Sequence, residues 1–367
     1  MSTLFKDLYS DDFYQQLVEA LTLLTTEFNK QQFLSLIHCS GFAEMEMKQR
    51  VSHTTQVLHK CLDCEFERAV PILLNLVEHF ESQNVKPDSL QFLFIPEYIE
   101  RYGQQHFKLS IAAFTRITPF ISCEFAVRPF IEQRPQQMFT QMQRWMTHDH
   151  RRVRRLASEG FRPRLPWGMA LSHLKHDPEP LRPMFELLMR DSCEWVRLSV
   201  ANNLNDIAKD NPQWVIDFAS SHIQHTPEID KVIKHGCRTL LKQAEPQVMA
   251  LFGFSSDGLT VANLSMQNDR IQLGGDLEFS FTVVSHLSKS VSVRIEYAID
   301  YQKKNGSLSR KVYKISERPL ASNSIHSVER KQHFRPITTR RYHSGLHRLA
   351  IIVNGKEMGT LEFHLAL

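Results

Sequence analysis

The hydrophobic period of this 367-residue chain changes near residues 252–260. Before that point apolar residues recur at spacings of 3 and 4, as in Phe13, Leu17, Leu21, Leu24 and in Met184, Leu187, Leu188. That spacing gathers them on one face of an α-helix, and turns such as Lys86-Pro-Asp and His176-Asp-Pro punctuate the helices. Beyond it the spacing falls to two, in Leu277, Phe279, Phe281, Val283 and in Val291, Val293, Ile295, Tyr297. Residues two apart share a face only in a strand, so one architecture cannot satisfy both halves. The expected fold is multidomain α + β, with an all-α part over residues 1–254 and an all-β part over 258–367. Asn305-Gly306 and Asn354-Gly355 read as hairpin turns between alternating runs. Six or seven such runs fit an antiparallel immunoglobulin-like sandwich. The tail contains neither Cys nor Trp, so the likeness is one of architecture only.

The helical part carries a repeat. Val153-Arg-Arg-Leu-Ala-Ser-Glu159 aligns with Val196-Arg-Leu-Ser-Val-Ala-Asn202, 43 residues on, and Ile233-Lys-His-Gly-Cys-Arg238 is a weaker echo. Helix pairs at a period near 40 predict a HEAT-like repeat solenoid, whose stacking presents a concave face.

Several function classes are set aside by composition. No apolar run approaches the roughly 18–20 residues of a membrane span, and the first residues lack a basic stretch followed by an apolar core. The expected location is cytoplasmic. Six cysteines include the pair Cys61 and Cys64, but no second pair answers it at zinc-ligand spacing, and no HExxH stands among the 18 histidines. No metal and no organic cofactor is expected.

Charge is unevenly distributed. The net charge is +4, yet residues 257–367 hold 16 Lys and Arg against 10 Asp and Glu, whereas the first 256 hold 28 against 30. Within the front part six arginines (151, 152, 154, 155, 162 and 164) crowd around a single acid, Glu159. Such a cluster is the electrostatic footprint expected for a polyanion. On a helical wheel Val153, Leu156, Ala157 and Gly160 share the packing face, while Arg151, Arg155, Glu159 and Arg162 share another. In the following repeat Asn202 takes the place of Glu159, and Asp206 lies one turn beyond.

A carboxylate repels phosphate, so an acid set in a basic groove has another purpose or a partner. Cleavage of an N-glycosidic bond is one purpose, because positive charge develops on the sugar and a carboxylate stabilises it or orients water. An ion pair of Glu159 with Arg155 or Arg162 is the other reading. Trp167, in Arg162-Pro-Arg-Leu-Pro-Trp167-Gly, stands in a rigid loop and either stacks on nucleic acid or covers the solenoid's edge. Glu124, in Ile121-Ser-Cys-Glu-Phe, taken by itself fits the ordinary role of an acid near a turn or helix start.

The segment Arg154-Arg-Leu-Ala-Ser-Glu159-Gly-Phe-Arg-Pro-Arg-Leu-Pro-Trp167-Gly resembles the hallmark segment of the AlkC branch of the AlkC/AlkD DNA alkylation-repair glycosylases. Ser192-Cys-Glu-Trp-Val-Arg-Leu-Ser-Val-Ala-Asn-Asn-Leu-Asn-Asp206 resembles that family's next repeat, and the likeness covers roughly residues 1–250. Residues 258–367 fit the subgroup with an added Ig-like domain. The resemblance implies excision of cationic bases, notably N3-methylcytosine and N3-methyladenine, from duplex DNA without a tight pocket for a flipped base. It implies that Glu124, Glu159 and Asp206 are the active-site acids, Glu159 and Asp206 beside the lesion's sugar and Glu124 orienting water or a neighbouring group. Arg155 would hold a phosphate or one of those acids, and Trp167 would approach the lesion or its backbone. DNA-contacting side chains are expected among Arg151, Arg152, Arg155, Arg162, Arg164 and Trp167. In the Ig-like domain the turn flanked by Lys303, Lys304, Arg310 and Lys311 is expected to reach DNA, with Arg340-Arg341 as a second candidate. The partner would then be duplex DNA containing alkylated bases, and the location nucleoid-associated. The alternative is a non-catalytic HEAT/Ig scaffold that binds DNA or a protein through the same groove.

Overall fold

The computed structural model describes residues 4–26, 28–336 and 340–367. Among the described residues sixteen α-helices, from Asp11–Leu24 to Pro246–Leu251, precede the first strand at Leu259, so the change of period is the change of architecture. The first helix shows the local logic. Ser10 caps it by accepting from the amide of Phe13 at 3.2 Å, acids occupy its first turn, and Phe13, Leu17, Val18 and Leu21 form its buried stripe.

Contacts divide the chain into two compact units. One comprises the residues up to Val215 with His222–Gly236, and the other comprises Ile216–Ser221 with Cys237–Leu367. In the first unit the Arg151–Glu159 helix packs on Glu194–Ile207, which packs on Pro227–Gly236. Val153, Leu156 and Ala157 on the one helix and Val196, Val200 and Leu204 on the other are all buried, as the 43-residue alignment predicts. Gly236 permits the third helix to approach, since a Cβ there would lie 2.9 Å from the Leu204 Cβ.

In the second unit β1 (Leu259–Met266), β3 (Asp276–Ser285) and β6 (Ile325–His333) form one sheet in the order β1-β3-β6. The other runs β2-β8-β7-β4-β5, from β2 (Arg270–Gln272), β4 (Val291–Gln302), β5 (Leu308–Leu320), β7 (Gly345–Val353) and β8 (Lys356–Ala366). Side chains alternate along β3, and Leu277, Phe279, Phe281 and Val283 enter the core with Val293, Ile295 and Tyr297. One pairing departs from the antiparallel expectation: β2 runs parallel to β8. At the β7–β8 turn Asn354 and Gly355 both have positive φ, the conformation that matches strand twist in a two-residue hairpin.

β4 departs from simple alternation, because Arg294, Glu296, Ala298 and Asp300 on its other face are also buried. Asn354 donates there to the Ser255 carbonyl at 2.5 Å, and a Cβ on Gly355 would sit 2.8 Å from that of Ala244. The segment after Cys237 thus packs on the sheet, which is why it groups with the strands.

Candidate active site

The site grows from the end of the Arg151–Glu159 helix. Glu159 is the last helical residue and Arg162 follows one turn later, so both side chains return over the same neighbour, the Glu194–Ile207 helix. Arg162 Nη1 donates to Glu159 Oε1 at 2.6 Å and its Nε to Asp206 Oδ2 at 2.8 Å. Ser199 donates to the second Glu159 oxygen at 2.5 Å, and Lys209 to the second Asp206 oxygen at 2.9 Å. Glu159 and Asp206 are 5% and 2% exposed, so direct access from solvent is closed by their own partners. Burial alone would lower the Arg162 pKa, but the two carboxylates outweigh it and hold the group above its ordinary value.

Arg155 extends the chain. It donates to Glu124 Oε2 at 2.8 Å and lies 3.5 Å from Glu159 Oε1, while its guanidinium sits 4.5 Å over the Trp195 ring. Glu124 lies on a turn ahead of the Arg128–Gln133 helix, and Ser122 also donates to its Oε2, at 2.9 Å. Its Oε1 accepts no hydrogen bond among the described residues, and at 15% its side chain is the most exposed of the three acids. Acid and base therefore alternate from Glu124 through Arg155, Glu159, Arg162 and Asp206 to Lys209, with one free carboxylate oxygen at the exposed end.

The arginine cluster is largely spoken for. Arg152 pairs with Asp88, Arg154 grips Asp191 at 2.6 and 3.1 Å, and Arg164 grips Asp210 at 2.7 and 2.5 Å. Arg151 alone of the six makes no ion pair among the described residues. It lines a groove of about 730 Å³ with Trp195, Arg197 and Lys231 and the acids Glu194 and Glu228. A net basic stretch in sequence is thus mostly a set of ion pairs with acids distant in sequence.

Arg128, Trp195 and Ser199 complete the site without having been singled out in the sequence. Arg128 is fully buried and meets no carboxylate; it donates to the carbonyls of Met169 (2.6 Å), Gly160 (2.9 Å) and Arg162 (2.8 Å). Burial, then the nearby Arg162 charge, bring its pKa down to about 10. It pins the loop that bears Arg162 and Trp167. Nothing in Val127-Arg-Pro announces this; Trp195 is legible only as the residue 43 after Arg152 in the repeat.

Trp167 stands apart from the ion-pair chain. It has φ of 68°, is 57% exposed, gives its carbonyl to Lys48 Nζ and meets Phe5 edge-on at 6.3 Å. Asn202 contacts His235 at 3.2 Å instead of taking an acid-like place.

In the sandwich, Lys303 and Lys304 are exposed at the β4–β5 turn and make no ion pair among the described residues. Arg310 differs: it binds Asp300 at 2.8 and 2.9 Å and Glu357 at 2.8 Å. Arg340 lies 3.9 Å over the Tyr301 ring. Among the described residues no group of three His, Cys, Asp or Glu side chains is arranged to hold a metal, and no helix is long and apolar enough to cross a membrane.

Residues 117–236 match the family model of DNA alkylation repair enzymes, and residues 260–367 match that of the C-terminal Ig-like domain of the uncharacterised protein YhaZ. The chain is 38% identical to the uncharacterised protein YhaZ of Bacillus subtilis (strain 168) over 361 residues, 98% of this chain and 99% of that one. Its structure is similar to that of the Pseudomonas fluorescens alkylpurine DNA glycosylase AlkC bound to DNA containing an abasic site analog, with a TM-score of 0.93, 32% identity and all of both chains covered.

Proposed function

The chain belongs to the AlkC-like DNA alkylation repair family, in the form that carries the YhaZ-type C-terminal Ig-like domain, and on that premise we propose that it is a base-excision-repair DNA glycosylase. Its substrates are cationic alkylated bases in duplex DNA, N3-methylcytosine and N3-methyladenine. Residues 1–254 form the glycosylase domain, and 258–367 form an Ig-like domain that adds DNA contact.

The reading rests on one observation: Glu124, Glu159 and Asp206, far apart in sequence, meet in a single chain of charge-assisted hydrogen bonds through Arg155 and Arg162. A phosphate-binding scaffold gains nothing from three acids there. A glycosylase for cationic bases does. The C1′–N electron pair departs with the base and neutralises it, so no general acid is required. Positive charge passes to the sugar, where fixed carboxylates stabilise it without reorganising. Water then adds to C1′, and the free Oε1 of Glu124 orients it and takes its proton. A base without built-in charge is a poor leaving group, so selectivity comes from the lesion's chemistry more than from a tight pocket, and deep base flipping is not needed. Arg151 and Lys231 on one unit and Lys303 and Lys304 on the other make no ion pair among the described residues and are available to phosphate.

The test is base release from duplexes carrying one N3-methylcytosine or one N3-methyladenine, read as alkali-labile strand cleavage. Release of both is expected; binding of the duplex with no release from either would leave a non-catalytic scaffold.

A further inference from the structure

Beside the acid chain lies a cavity of about 550 Å³ to which the mechanism above assigns no role. Its wall includes Trp167, Phe125, Met47, Glu97, Glu100 and Gln104, and it shares Ser122 with the site, the residue that donates to Glu124. Glu97 is engaged with Arg101 at 3.2 Å. The Glu100 carboxylate has no hydrogen bond or ion pair among the described residues, although it is half-buried. One unanswered acceptor, the Glu100 carboxylate, therefore stands in a wall that also offers aromatic and apolar faces.

We propose that this cavity is a holding site for the excised alkylated base: a planar, amino- or imino-bearing heterocycle, basic enough to share a proton with Glu100, that stacks on Trp167 and Phe125. The identity of the ligand rests on the glycosylase reading. The cavity exceeds the volume of one base, which suits a product site open to solvent better than a pocket that grips the lesion before cleavage. Departure of the base with the glycosidic electron pair leaves it neutral. N3-methylation fixes an imino nitrogen on cytosine and makes it more basic than the unmodified base. One proton then lies between that nitrogen and Glu100, as a charge-assisted hydrogen bond in either direction. Burial, then the neighbouring Glu97, raise the Glu100 carboxyl to about 7 despite Arg101 and Lys48, so it is matched to such a weak base. Cytosine, whose N3 is much less basic, lacks the match.

The test uses the full-length protein with free 3-methylcytosine and free cytosine at pH 7, by titration calorimetry and as inhibitors of base release. Wild type is expected to bind 3-methylcytosine roughly tenfold more tightly than cytosine, the size of one hydrogen bond to a charged group. Glu100→Gln should abolish that preference, and Trp167→Ala should weaken both bases. Equal affinity for the two bases, no binding of either, or an undiminished preference in a folded Glu100→Gln would overturn the proposal. Release from DNA without free-base binding sinks the holding site alone; free-base binding without release sinks the glycosylase reading alone.

Discussion

Arg128 Nη2 donates to the main-chain carbonyl of Arg162 at 2.8 Å, so one buried cation holds the backbone of another. The first has no acid of its own and spends its remaining donors on the carbonyls of Gly160 and Met169. The second bridges Glu159 and Asp206. The order of the acid chain therefore depends on a residue that touches none of the acids.

Arg128→Lys keeps the charge but cannot reach three carbonyls in fork geometry. Each carbonyl left unpaired costs about 1–3 kcal/mol. The variant should unfold at lower denaturant concentration and release base at least tenfold more slowly, with its duplex affinity changed by no more than about threefold. Denaturation, single-turnover release and duplex titration check this. Full activity would show that the loop holds itself.

Arg155 joins Glu124 to Trp195 and is not free for a phosphate. Arg155→Ala should slow base release at least tenfold while the salt dependence of duplex binding keeps its slope. A slope shallower by about one unit would assign Arg155 to a phosphate instead.

Glu100 sets a pH dependence of stability. Its carboxyl is raised from 4.5 to about 7 in the fold, so between those values the folded chain holds more proton than the unfolded one, and stability falls as pH rises. With discount for partial solvent screening the loss is about 1–3 kcal/mol. Glu100→Gln should match wild type near pH 4.5 and exceed it at pH 8 in urea denaturation. Equal stability at both values would place the carboxyl in an ordinary environment.

The two kinds of cation near the β4–β5 turn should separate. Lys303→Ala with Lys304→Ala should weaken duplex binding and lower the salt slope by up to about 1.8, two phosphate contacts, without loss of stability. Arg310→Ala leaves Asp300 to Arg348 alone and Glu357 without its closest partner, so its effect should fall on stability. Denaturation curves and salt titrations on both variants distinguish them.

Much of this was legible in the sequence, and the reason differs from part to part. The switch of period fixed the helix-to-strand change, because burial enforces 3.6 in one half and 2 in the other. The spacing of Arg155, Glu159 and Arg162 on one helical surface already implied that they meet, and they do. Arg151 belonged to the same wheel yet left the group, because the wheel ignores which neighbour each turn faces. The cluster of six arginines looked like a phosphate footprint since Asp88, Asp191 and Asp210 are remote in sequence; only packing reveals them as partners. Arg128 was invisible for the same reason, as its partners are carbonyls and carry no sequence signal. The parallel β2–β8 pair was missed because a three-residue strand has almost no period to read.

On the proposed mechanism the buried acids act on the sugar and do not serve to bind DNA. This is tested most directly by single-turnover release of N3-methylcytosine from duplex DNA by Glu159→Gln and Asp206→Asn, with duplex affinity measured on the same preparations. A loss of release of about 10²–10³-fold is expected in each, with affinity equal to or above that of the wild type. Release at the wild-type rate, or a fall in release matched by an equal fall in affinity, would contradict it.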